Sequence, residues 1–225
     1  SRWCIPERST VAVLHPRGQE ISAAALAAPA VLLPAVRDPN VAIKLWFKVG
    51  SQNDPKGKEG LAALTASLLA EGGTRSHAYS EVLEQLYPLA TSLEASADKE
   101  MTVLGGVVCR ESAAAFAQVL SEAVREPGFR PEDFERLKSR SLNTLEKTLR
   151  YSSDEELGKA VLYERVFAGT PYQHLSLGTV AGLKAISIDD VREFYATHFT
   201  REDVALALGG AYDTDLQAAL EASLQ

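Results

Sequence analysis

The residues of this 225-residue chain with the chemistry to act as ligands, bases or nucleophiles are four histidines, two cysteines and a few pairs of acids. Two imidazoles spaced i, i+4 on one helix can grip a zinc ion, and no two of His15, His77, His174 and His198 have that spacing. His198 shares an apolar face with Val191, Phe194 and Tyr195 and reads as a core or helix-end residue. His15 and His174 adjoin loops and read as surface residues. His77 follows the Gly72-Gly73 turn and could join a site, but the sequence names no partner for it. Cys109 ends a strand-like run, and no activating helix end or base can be inferred for it, so an inert buried thiol is expected. By count alone Cys4 and Cys109 could form one bridge; two separate small apolar residues are the expectation. The pairs Glu155-Glu156 and Asp189-Asp190 stand where helices open, and capping accounts for them without catalysis. There is no Gly-x-Ser-x-Gly elbow and no phosphate loop. The residues themselves offer no catalytic constellation.

Composition narrows the class. Hydrophobic content of 46% and charged content of 24% fit a soluble globular domain with ample length for a core. A net charge of −7 argues against nucleic acid, which needs a basic face. The one basic run, Arg136, Lys138, Arg140, Lys147 and Arg150, is interleaved with Glu132, Glu135 and Glu146 and reads as a solvated helix face. No apolar run approaches the ~20 residues of a membrane span. Ile21–Ala30 loosely resembles a signal core, but Glu20 and a strand-like Thr10–Leu14 precede it, so it is not read as one. The first residue is Ser1, which leaves room for a targeting segment already removed. The compartment is unassigned, periplasmic or cytoplasmic if the source is bacterial.

The elements that must position any site follow from periodicity. Residues 1–30 read as an N-terminal extension, with a strand at Val11–Leu14 and a short helix at Ala23–Ala28. From there 31–225 reads as one α+β domain. Val31–Leu33 is strand-like. Val41–Val49 alternates Val41, Ile43, Leu45, Phe47 and Val49 against Ala42, Lys44, Trp46 and Lys48, the period of a half-buried strand. After a polar loop with Asp54-Pro55, Leu61, Leu64 and Leu68 mark a helix closed by Gly72-Gly73. A helix at Tyr79–Leu86 precedes Leu93–Ala97 and Met101–Cys109, which read as an antiparallel hairpin; Gly105-Gly106 suggests a bulge or a close backbone approach. Helices are expected over Ser112–Arg125, from Pro131 through Phe134, Leu137, Leu142, Leu145 and Leu149, after Ser153 on Leu157, Val161, Leu162 and Val166, after Ser187 on a capping box, and near Thr214–Ser223. Val204–Leu208, apolar on both faces, reads as a central strand. The fold expected is an open, mainly antiparallel sheet packed against helices.

In order and spacing these pieces resemble the zinc peptidase family of pitrilysin, insulinase and the mitochondrial processing peptidase. Phe47-Lys-Val-Gly-Ser51 followed by Gly60-Leu-Ala is similar to that family's strand, loop and start of the zinc helix. Ala90-Thr-Ser-Leu-Glu94 looks like its substrate-side strand, and Pro131-x-x-Phe-Glu-Arg-Leu-Lys138 the start of its long helix. Thr170-Pro-Tyr172, Leu177-Gly-Thr179, Leu183 and Phe194-Tyr195-x-x-His198, then Val204–Gly210, resemble the end of its first domain. The resemblance places the inverted motif His-x-x-Glu-His at Ala63, Ala66 and Ser67, and the third ligand near Asn143 or Thr144, where Glu146 is the nearest acid. No histidine lies between His15 and His77 to fill those positions.

What the resemblance implies is a catalytically inactive first-half domain with no catalytic and no metal-binding residue of its own. Zinc is expected only in an active partner of the same family, with which this chain would pair as a non-catalytic subunit. Unfolded peptide is a second expected partner, captured by strand addition at Leu93, Glu94, Ala95, Ser96 and Ala97. The alternatives are an active zinc metalloendopeptidase with unrecognised ligands such as His77, or a purely structural assembly protein.

Overall fold

A computed structural model describes residues 30–148 and 154–224. The expected strand at Val11–Leu14, the helix at Ala23–Ala28, Cys4, His15, Leu149 and the Ser153 cap lie outside them. Two short connections frame the sheet: β1 (Ala30–Pro34) turns into β2 (Asn40–Phe47), and β3 (Glu94–Ala97) into β4 (Thr102–Cys109). With β5 (Val204–Gly210) they form one sheet in the order β1-β5-β2-β4-β3. Every pairing is antiparallel except β1 with β5, so the sheet is mainly antiparallel, as expected, with one parallel edge.

Alternation decides which face is covered. Val41, Ile43, Leu45 and Phe47 point into the core, while Ala42, Lys44 and Trp46 point away. Leu104 and Val108 of β4 and Leu206 and Leu208 of β5 stand on the same inner face. The core on that face is closed by helices α1 (Leu61–Glu71), α2 (Tyr79–Leu86), α3 (Ala113–Arg125), α4 (Pro131–Asn143), α6 (Val180–Ala185), α7 (Ile188–His198) and α8 (Thr214–Ser223), while α5 (Asp154–Val166) stands apart. Leu104 is fully buried. Leu104→Ala is expected to lower unfolding free energy by about 2–5 kcal/mol in urea titrations, the range for emptying a leucine-sized space in a packed core.

Of the two alternatives for Gly105-Gly106 the close approach holds: the β2–β4 register runs unbroken from Asn40↔Cys109 to Phe47↔Thr102, with no bulge, while Cys109 and α5 depart from expectation. A Cβ on Gly106 would come within 2.7 Å of the Phe116 ring, which presses on the strand there. Cys109 is exposed, because as the last residue of β4 it falls on the outward turn of the alternation. No residue of α5 is buried. Its Val161, Leu162 and Val166 stand in solvent, since the helix lies beyond the sheet's reach rather than on it.

Candidate functional site

α1 is held from three sides. The Asp54 carboxylate, whose side chain has 0% exposure, accepts from Gly60 N and Ala62 N at 2.7 Å each and so satisfies the free donors of the helix start. The Lys58 ammonium pairs with Asp190, which also closes the Ser187 capping box of α7. At the far end Arg136 donates to Glu71 O, and Arg140 grips the Glu71 carboxylate with two bonds of 2.6 Å. Cations at a helix C-terminus complement its dipole. Between these anchors Leu61, Ala62, Leu64, Thr65, Ala66, Leu68, Leu69 and Ala70 are all buried.

Ala63 and Ser67 form the half-exposed stripe left over, and Ala66 is buried behind it. The Ser67 hydroxyl donates to Ala63 O at 2.9 Å. Two methyl groups and a hydroxyl turned back on its own helix do not fit a zinc ion, which takes thiolate, imidazole or carboxylate. Glu146 sits in the π-helical turn Thr144–Thr148 that follows α4 and accepts from Lys184 Nζ at 3.0 Å. Among the described residues no three His, Cys, Asp or Glu side chains gather as a metal cage.

β3 runs beside α1 at the edge of the sheet. Its one described neighbour is β4, in the register Glu94↔Gly105 to Ala97↔Thr102, so its outer backbone groups face away from the sheet. Leu93 is buried just ahead of it and anchors it; Glu94 and Ser96 are exposed, Ala95 and Ala97 half-buried. All five expected peptide-binding residues therefore fall in one edge segment next to the Ala63–Ser67 stripe.

Two histidines are placed where periodicity did not lead. His174, expected at the surface, has a side chain only 9% exposed, with Nε2 4.0 Å from Asp54 Oδ2. Its carbonyl accepts from the Lys99 ammonium, and burial lowers the pKa of that lysine against the pull of Asp98 and Asp54. Burial raises the Asp54 carboxyl to about 6, opposed by the two backbone donors and His174 and reinforced by Glu59. The only hint in the sequence was an aspartate six residues ahead of Gly60, outside the usual capping spacing. His77 does find a partner: Nδ1 lies 3.2 Å from Glu122 Oε1. The same oxygen accepts from Thr74 Oγ1 at 2.7 Å and from the Ser76 hydroxyl. Ser76 stays bonded to Glu122 as a turn lock, because it and the carboxylate share one ring nitrogen, whereas a proton relay needs one on each. The Ser76 bond is the main reason the Glu122 pKa is lowered, ahead of burial, which opposes it.

The model of the insulinase family, peptidase family M16, matches residues 30–179. The chain belongs to that family. The Helicobacter pylori protein named non-peptidase homolog YmxG is 30% identical over 77% of this chain and 39% of its own length. An uncharacterized zinc protease of Rickettsia bellii is 23% identical over 77% of this chain and 42% of its own. This chain thus spans about two-fifths of the length of these relatives. The crystal structure of an M16 inactive domain from Pseudomonas fluorescens superposes with a TM-score of 0.77 at 22% identity, covering 86% of this chain and 46% of that one. As an M16 member the chain has the α+β architecture its periodicity indicated.

Proposed function

We propose that this chain is a catalytically silent M16 domain that pairs with a second peptidase-like domain or subunit, and that it holds extended peptide on the open edge of β3. The observation that carries the reading is the pairing of two features. α1, which the family resemblance puts in the place of the zinc helix, has a face without metal donors, and β3 beside it has no strand on its outer edge among the described residues. Hydrolysis by this family needs a zinc-polarised water, so in this reading the active partner supplies the ion. The names non-peptidase homolog and inactive domain, borne by similar proteins, point the same way.

The surface for the partner is the sheet face opposite the helices, where Val31, Leu33, Trp46 and Val107 are exposed among the described residues; Val161, Leu162 and Val166 of α5 are a second exposed apolar group. Large apolar side chains exposed together on one sheet face mark a contact surface. No helix among the described residues is long and apolar enough to cross a membrane.

Purified protein dialysed against micromolar zinc is expected to retain well under one equivalent by metal analysis; a stoichiometric, tightly held ion would overturn the silent-domain reading. Fluorescein-labelled unstructured peptides are expected to bind saturably, alone or with an M16 partner present. N-methylation of alternate peptide residues should abolish binding in one register and spare it in the other, because only every second N–H meets the strand edge. Equal tolerance of both registers would exclude strand addition.

A further inference from the structure

Beyond Ala97 the edge of β3 runs into a cup of about 220 Å³ lined by Met101, Tyr163, Phe167 and Tyr172 and by the charged turn Asp98-Lys99-Glu100. Three rings form its wall. Tyr163 and Phe167 stand one helical turn apart with centroids 5.5 Å from each other, and Phe167 and Tyr172 are 6.2 Å apart. Tyr172 is fixed by its hydroxyl, which donates to Glu100 Oε1 at 2.6 Å and lies 3.0 Å from Gln52 Oε1. Met101 is 37% exposed and Tyr163 50% exposed. Core packing does not need these side chains in solvent. Rings and a thioether collected around a space several times the ~30 Å³ share of one water are instead the chemistry of a site for an apolar group.

The position selects the occupant. Asp98–Met101 is the turn that joins β3 to β4, with Asp98 N bonded to Met101 O, so the cup opens at the end of the strand edge. We propose that it receives one large apolar side chain, aromatic or long aliphatic, of an extended peptide lying on β3. This rests on the strand-addition reading of β3 and adds the specificity that backbone pairing lacks. Strand pairing is blind to side chains; a pocket past its end sets which sequences stay bound.

Met101 is the only methionine of the chain, so ¹³C-methyl methionine labelling puts a single NMR reporter in the cup. In the full chain that resonance is expected to shift saturably with N-acetyl-phenylalaninamide and N-acetyl-leucinamide and to stay still with N-acetyl-alaninamide. Extended peptides carrying Phe at one position should bind roughly tenfold more tightly than the same peptides carrying Ala, the effect of one well-buried ring. Tyr163→Ala, at a half-exposed helix position, should remove that ratio and leave the Ala peptide's affinity within about twofold. A silent Met101 methyl while peptides still bind would overturn the pocket alone. Capped amino acids that bind while every peptide fails would overturn strand addition, and the proposal with it. A Phe preference unchanged in Tyr163→Ala would also overturn it.

Discussion

Gly105→Ala is expected to lose more than about 4 kcal/mol of stability, which would leave much of a domain of ordinary stability unfolded. Gly105 faces Lys44 in the β2–β4 ladder at a φ of +151°. A Cβ there would stand 2.0 Å from Ile43 O and 2.9 Å from Lys44 Cα, both backbone atoms of the strand alongside. No rotamer change relieves a clash between main chains, so the two central strands must separate or twist. β3 would go with them, since Glu94 is paired to Gly105, and the peptide capture proposed for β3 should fall in step. Val103→Ala on the same outer face is the control, expected within about 1 kcal/mol. Urea titration followed by circular dichroism measures both. A Gly105→Ala protein as stable as the control would show that the strands do not approach this closely in solution.

The Asp54 carboxyl should make stability fall with rising pH between about 4 and 6, against the usual acid-denaturation trend. Its pKa is raised from 3.8 to about 6 in the folded chain, chiefly by burial. Between those values the folded state holds a proton that the unfolded state has lost, so ν_U − ν_N is negative and unfolding free energy drops as pH increases. The contribution is full below 3.8 and gone once pH has passed 6. A shift of about two units corresponds to roughly 3 kcal/mol as an upper figure. Asp54→Asn removes the titration. The difference between wild type and variant, taken from urea midpoints across pH 3.5 to 7.5, is expected to shrink by up to about 3 kcal/mol over that window. A difference that stays flat, or grows with pH, would contradict a buried carboxyl at the start of α1. Glu59 responds in the opposite sense: burial pushes its pKa up, but the donors from Gly57 and Thr179 outweigh it and lower it. The comparison must therefore be made on the Asp54 pair alone.

Most of the domain's local structure was legible from periodicity because strands and helices bury one face each. Val41–Val49 differs from β2 by one residue at its start and two at its end, and Thr214–Ser223 coincides with α8. The Ser187 box, with its hydroxyl accepting from Asp190 N, was readable because caps are local. The misreadings share another cause. For Cys109, His174 and the apolar residues of α5, residue type and immediate neighbours do not give burial, which depends on what the rest of the chain brings alongside. His174 is shielded by a loop 120 residues earlier in the sequence, and α5 receives no cover among the described residues.

The candidate site divides along the same line. By itself the sequence determined that the helix at 61–71 carries alanine and serine where its family resemblance puts zinc ligands, and that Leu93–Ala97 is a short strand, because residue identity and period need no coordinates. Tertiary structure alone decided that this strand is the sheet's outermost, that α1 lies beside it, that Asp54 and His174 meet under the helix start, and that Met101 joins Tyr163, Phe167 and Tyr172 in one cup. Edge position, burial and side-chain convergence are products of long-range packing, where segments far apart in sequence exclude water together. No local pattern encodes which segments those will be.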